Sequence, residues 1–154
     1  MPQLEGLWIK WSSIESIAGL RVLDGLKYFH LGSSTRLASI DPLRDCHQLT
    51  SLGLENLARI DRLDSLAPLT RLEGLSLEGS MWTPWRVTTL EPVGRLHDLR
   101  YLSLANLRAA DRSFTPLYGL RHLETLIIAK WWNESELAQV RSLNPGLMVN
   151  QERS

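Results

Sequence analysis

The sequence predicts an α/β solenoid, in which repeated coils stack and each coil adds one strand to a parallel, concave β-sheet. In the segment 63–80, leucines first fall every three positions and then, at Leu75 and Leu77, every two. A period of two is typical of a strand, and a period of three is typical of turns or 3₁₀ helix. One such unit cannot bury its own apolar face, so copies must stack above and below it.

The copies are present along the whole chain. The pattern Leu-x-x-Leu-x-Leu, with Ile or Phe in some positions, starts at Leu4, Leu26, Leu49, Leu72, Leu99 and Leu123. The starts are 22, 23, 23, 27 and 24 residues apart. Six full coils are therefore predicted, with Leu52, Leu75 and Leu102 side by side in neighbouring parallel strands.

The return half of each coil repeats as well, and it carries a resemblance to a known family. Three return segments contain the same short motif: Ile40-Asp41-Pro42-Leu43, Leu90-Glu91-Pro92-Val93 and Phe114-Thr115-Pro116-Leu117. The motif resembles the Asp-Ile-x-Pro-Leu segment of leucine-rich repeat proteins of the short, internalin-like subclass. The resemblance implies a right-handed solenoid with 3₁₀ turns on its convex side. The asparagine expected after the strand is replaced by Ser12, Ser34 and Ser80, which we expect to satisfy the loop amides only partly.

Composition and charge limit the classes of partner. The 154 residues, 44% of them apolar, predict one leucine-rich repeat domain over 1–154. The net charge is zero, so no positive field favours nucleic acid or an anionic membrane. Neither a signal-like N-terminus nor a run of about 18 apolar residues is present, and we expect a cytoplasmic protein. The only cysteine, Cys46, falls in an apolar return column and is expected in the core.

The first strand, around Leu7 and Ile9, begins almost at the start of the sequence and no capping element is predicted before it. An open strand edge exposes unpaired backbone groups. We expect the edge to be covered by Trp8 and Trp11, by a partner, or by a second copy of the chain in a homodimer.

Two later segments depart from the simple repeat. About four extra residues fall within 79–88, and such insertions often lie on the binding face of a repeat protein, here with Trp82 and Trp85 flanking a loop restricted by Pro84. After the sixth strand, 133–143 has a helical period, with Asn133 as N-cap and Glu136 as its capping-box partner. A short seventh strand around Leu147 and Val149 follows.

Catalysis, a metal site and a cofactor are not expected. The four histidines do not converge on one position, and there is no glycine-rich phosphate loop or His-Glu-x-x-His run. His30 is the only histidine predicted on the outward side of a strand. We interpret it as either a binding contact or an ordinary exposed residue.

The outward face of the sheet is the predicted partner-binding surface. Its centre is small, with glycine and serine, and Tyr28 and Tyr101 flank it as aromatic contacts of the kind enriched at interfaces. Glu55 and Glu78 stack in one column, an arrangement that favours a basic side chain of a partner. The candidate partner-binding residues are Trp8, Tyr28, His30, Glu55, Glu78, Trp82, Trp85 and Tyr101.

The function predicted from these features is a non-catalytic protein–protein interaction module whose protein partner is not identified by the sequence. Two alternatives stay open. The chain could be a structural protein that dimerises through its first strand, or an immunity-type or regulatory inhibitor of another protein. For the tryptophan pairs, including Trp131 and Trp132, both a core-capping role and a binding role are compatible with the sequence.

Overall fold

A parallel sheet forms one side of the molecule. The computed structural model describes residues 3–130 and 132–152, which contain the helix α1 (Glu134–Leu143) and the strands β1 (Gly6–Lys10), β2 (Tyr28–Gly32), β3 (Ser51–Glu55), β4 (Gly74–Glu78), β5 (Trp85–Val87), β6 (Tyr101–Leu104), β7 (Leu107–Ala109), β8 (Thr125–Ala129) and β9 (Met148–Glu152). Seven strands are parallel neighbours in the order β1-β2-β3-β4-β6-β8-β9. The predicted solenoid of six coils followed by a helix and a short strand is confirmed.

The register of the sheet places equivalent leucines next to one another. Leu52 pairs with Leu75, and Leu75 pairs with Leu102. All three side chains are buried. Burying one leucine side chain stabilises the fold by about 1.5–3 kcal/mol, and every coil adds several such residues to one continuous core.

The convex side consists of short 3₁₀ turns, as predicted. In the described residues these turns are Ala18–Val22, Asp41–Asp45, Asp64–Leu66, Val93–Arg95 and Thr115–Gly119. Pro42 and Pro116 are the second residues of two of these turns, where a fixed φ is useful and the missing N–H has no partner to lose. The turns return the chain to the next strand within one coil.

The first or second residue after four of the strands adopts a left-handed backbone. Trp11, Ser33, Asn56 and Asn106 have φ values of 55°, 52°, 53° and 47°. Asparagine tolerates this region better than most residues, which explains why it occurs here, one position before the expected asparagine column. In that column Ser12 Oγ and Ser34 Oγ are 2.6 Å apart, whereas the next coil has the buried Leu57, so the polar ladder is partial.

The insertion in the fourth coil contains β5, which pairs in parallel with β7 to form a second, two-stranded sheet. The prediction that Trp85 is a surface contact is wrong. Trp85 is 2% exposed, and its indole Nε1–H donates to the carbonyl oxygen of Ile60. Because side chains alternate along a strand, Trp85 faces the core with its register partner Leu107, while Arg86 faces outward.

The C-terminal helix begins after Asn133, as predicted, and Asn133 Oδ1 accepts a hydrogen bond of 2.9 Å from the backbone N–H of Ser135. The capping-box prediction for Glu136 is wrong. Its carboxylate instead accepts from the backbone N–H of Phe114, in the preceding coil. Trp132 is buried and stacks on Phe114, whereas Trp131 lies outside the described residues.

Cys46 is buried in the core, as expected, with its Sγ 3.6 Å from the carbonyl oxygen of Pro42. Burial raises the pKa of this thiol above its ordinary value. Within the described ranges, no helix has the length and apolar character needed to cross a membrane.

The two tryptophans of the insertion give a direct test of this packing. We expect Trp85→Ala to lower the free energy of unfolding by about 3–5 kcal/mol, because it leaves a cavity and an unpaired Ile60 carbonyl. Trp82→Ala, which removes a side chain that is 87% exposed, should change it by less than about 0.5 kcal/mol. Urea unfolding measures both values. Similar losses in the two variants would contradict the assignment.

Candidate functional site

A groove crosses the outward face of the sheet near the starts of the strands. Its cavity volume is about 410 Å³. The floor consists of small outward-facing residues, Gly53, Gly74, Ser51 and Ser76, and the walls carry the aromatic side chains of Trp8, Tyr28 and Tyr101. Tyr28 is 53% exposed and Tyr101 is 39% exposed. The groove therefore offers aromatic contact area above a floor that another chain can approach closely.

Trp8 and His30 form a stacked pair on one side of this groove. Their ring centroids are 4.1 Å apart and their planes are inclined by 19°. They are neighbours because β1 and β2 place Trp8 opposite His30. The next residue in this row is Gly53, where a Cβ atom would overlap His30 Nδ1. Glycine at this position therefore makes room for the imidazole, and the imidazole supports Trp8 from below.

The stacked carboxylates lie near the ends of the strands. Glu55 is opposite Glu78 in the register, as predicted. Glu55 Oε2 is 2.9 Å from Lys10 Nζ, so this carboxylate already has a cationic partner within the chain. Glu78 Oε1 accepts a hydrogen bond of 2.8 Å from Ser103 Oγ. Among the described residues Glu78 forms no ion pair, so it is the carboxylate of the two that remains available to a basic group.

The protonation of His30 is governed by its surroundings. Burial lowers the pKa of His30 below its ordinary value, and the neighbouring positive charge of Lys10 lowers it further, while Glu55 acts in the opposite direction. His30 Nε2 is buried and lies 3.7 Å from Glu55 Oε2, with no hydrogen-bond partner among the described residues. Neutral His30 is therefore the favoured form beneath Trp8.

The inserted loop 79–84 borders a second cavity, of about 1360 Å³, at the ends of the strands. Met81 is 84% exposed and Trp82 is 87% exposed. The loop backbone is nevertheless held in place. Thr83 N donates to Ser80 Oγ at 2.8 Å, and Asn106 Nδ2 donates to the carbonyl oxygen of Ser80 at 2.7 Å. The loop thus presents two large apolar side chains to solvent from an ordered backbone.

The structure brings most of the predicted residues together in two adjoining cavities. Trp8, Tyr28, His30 and Tyr101 line the groove. Glu55, Glu78 and Trp82 line the second cavity, together with Lys10 and Met81, which the sequence analysis did not select. The strand register could have identified Lys10, because it is two strands from Glu55 in the same row, with only Gly32 between them. In the ranges 3–130 and 132–152, no group of three or more His, Cys, Asp or Glu residues is arranged to hold a metal.

Solved structures share this architecture. Internalin C2 from Listeria monocytogenes superposes with a TM-score of 0.73 over 97% of this chain, at 25% sequence identity. The chain has an internalin-like leucine-rich repeat fold. A second internalin of Listeria monocytogenes superposes over 95% of the chain with a TM-score of 0.59 at 20% identity, and a leucine-rich repeat protein of Leptospira interrogans over 89% with 0.61 at 20% identity.

The internalin-like chain is shorter than these proteins. It spans 63%, 46% and 34% of the lengths of the three solved chains, in the order given above. No protein-family model matches the chain, and no curated protein does. The comparisons therefore establish the fold and identify no binding surface.

The stacking of Trp8 on His30 leads to a prediction about the titration of the His30 imidazole. We expect the pKa of His30 to lie below about 6.5 in the folded chain and to rise toward that value in Trp8→Ala, because the indole no longer covers the ring. Imidazole NMR titration measures both.

The lowered pKa of His30 also makes the free energy of unfolding depend on pH, which urea unfolding at several pH values measures. Below pH about 6.5 the unfolded chain binds more protons at this site than the folded chain, so the free energy of unfolding falls as the pH drops through that value and levels off below the folded-state pKa. An identical His30 titration with and without Trp8 would show that stacking does not shield the ring.

Proposed function

We propose that this chain is a non-catalytic protein-binding module that holds a protein partner against its concave sheet and the adjoining loop 79–84. The observation that carries the proposal is the groove in which Trp8, Tyr28 and Tyr101 stand around a glycine and serine floor. Tryptophan and tyrosine are enriched at the energetic centres of protein interfaces. A parallel repeat sheet supplies a preformed surface, so little ordering free energy is lost on binding.

The groove favours a partner segment that inserts an apolar or aromatic side chain between the tyrosines. Gly74 contributes no side chain to the floor, so the inserted group can approach the sheet backbone there, whereas the imidazole of His30 covers Gly53. Trp8 is held by its stack on His30 and is still 71% exposed. An exposed aromatic ring that is already oriented loses little conformational entropy when it is covered.

The second cavity favours a different contact. Glu78 has no cationic partner among the described residues, and Trp82 lines the same cavity. Arg108 and Lys130 also line this cavity, so it carries charges of both signs. The place in it for a lysine or arginine of the partner is beside Glu78, where the cation pairs with the carboxylate and contacts the indole face. Met81 and Trp82 would then cover the contact from the side of the loop.

The proposal is tested by affinity capture from the source cell, followed by measurement of the captured partner's affinity. We expect Tyr28→Ala combined with Tyr101→Ala, and separately Trp82→Ala, to weaken binding by about tenfold or more, because truncated hot-spot residues cost about 2 kcal/mol or more. Val22→Ala is the matched control, because Val22 is 79% exposed but lies in a convex turn. A partner that responds to Val22→Ala and ignores the concave variants would place binding on the convex side.

Self-association through β1 is a second proposal, favoured by the packing of the first coil. Leu7 and Ile9 are half-buried, whereas their register partners Phe29 and Leu31 are fully buried. Trp11 is 82% exposed and does not cover them.

Sedimentation of the pure chain tests this alternative. We expect dimers at millimolar concentration, where about 4 kcal/mol of association free energy is detectable, and we expect Ile9→Lys to abolish them by placing a charge at the edge. A chain that stays monomeric at that concentration would rule out the dimer.

A further inference from the structure

Three arginines surround a cavity on the side of the solenoid formed by β5 and β7. Arg86 in β5 and Arg108 in β7 are directly opposite each other in the register, and Arg112 lies just after β7. All three are exposed. With Val87, Ala109 and Ala110 they line a cavity of about 320 Å³, and none of these lining residues is acidic.

The strand alternation explains how the arginines come together. Trp85 and Val87 are buried, so Arg86 between them must face outward, and the same holds for Arg108 between Leu107 and Ala109. Like charges directly opposite each other in a sheet are destabilising. Neither guanidinium is needed to fill the core, because the inward-facing residues of both strands already do so.

Among the residues that line the cavity, only the arginines have polar side chains. Val87 and Ala109 are each 3% exposed and form an apolar floor. The acidic residue next in the chain, Asp111, accepts a hydrogen bond of 3.2 Å from the backbone N–H of Ser113 and does not line the cavity. Arg86 and Arg112 form no ion pair with a carboxylate in the described part of the chain.

We propose that Arg86, Arg108 and Arg112 bind an oxyanion, either a phosphoryl or a carboxylate group. The planar guanidinium fork matches the oxygens of both groups and can bind them with two parallel hydrogen bonds. The site does not depend on the protein-binding proposal, although Arg108 also lines the cavity beside Trp82, so an acidic group of a partner bound there could reach it.

The experiment uses the full chain labelled with ¹⁵N and two probes, inorganic phosphate and acetate, each titrated at constant ionic strength set with sodium chloride. We expect saturable shifts of the Val87, Ala109 and Ala110 amide signals at millimolar probe. Saturation by phosphate alone assigns a phosphoryl group, and saturation by acetate as well extends the site to carboxylates. Arg86→Gln combined with Arg108→Gln should weaken binding by about tenfold or more, since charge-assisted hydrogen bonds are lost.

The matched control is Arg95→Gln, which removes one exposed arginine from the turn Val93–Arg95 on the convex side. It should bind the probe like the unmodified chain. Thermal unfolding gives a second readout. Arg86→Gln should lose the gain in Tm that phosphate gives the unmodified chain. No saturable shift with either probe, or equal weakening by Arg95→Gln, would overturn the proposal.

Discussion

The stacking of buried leucines in register between coils is the constraint on which the rest of the structure depends. Because side chains alternate along a strand, a slip of one residue would move the apolar set outward and the groove residues inward. The pairing of Leu52 with Leu75, and of Leu75 with Leu102, therefore also fixes which residues face outward from the sheet. The same constraint that holds the core together determines the composition of the outward face of the sheet.

The sequence was sufficient for the parts of the fold that depend on this alternation. The coils, the sheet and the convex turns could be predicted because the spacing of apolar residues indicates which side chains are buried. Trp85 could not be placed, since the phase of a strand inside an insertion cannot be determined before its pairing partner is known. Glu136 shows a second limit. Its spacing from Asn133 fits a local cap, but its carboxylate instead accepts a hydrogen bond from the backbone N–H of Phe114 in the neighbouring coil.

The candidate site could be predicted to about the same extent as the fold. Spacing placed Trp8, Tyr28 and Tyr101 on one face, and it stacked Glu55 on Glu78. The register also puts Lys10 in the row of Glu55, with Gly32 between them, but it could not show that the two side chains form an ion pair across that glycine. Contacts between side chains two strands apart depend on side-chain conformation, and the spacing of residues in the sequence does not determine that conformation.

Because β5 pairs with β7 in a sheet of its own, the length of the inserted loop does not affect the register of the main sheet. The fourth coil is the longest, yet Ser76 remains opposite Ser103 across the insertion, as Gly53 is opposite Ser76 one coil earlier. The extra residues are accommodated beside the main sheet, where they form their own backbone hydrogen bonds. A lineage could therefore lengthen or shorten this loop while the framework beneath it stays unchanged. The loop and the framework can in this way diverge at different rates within one chain.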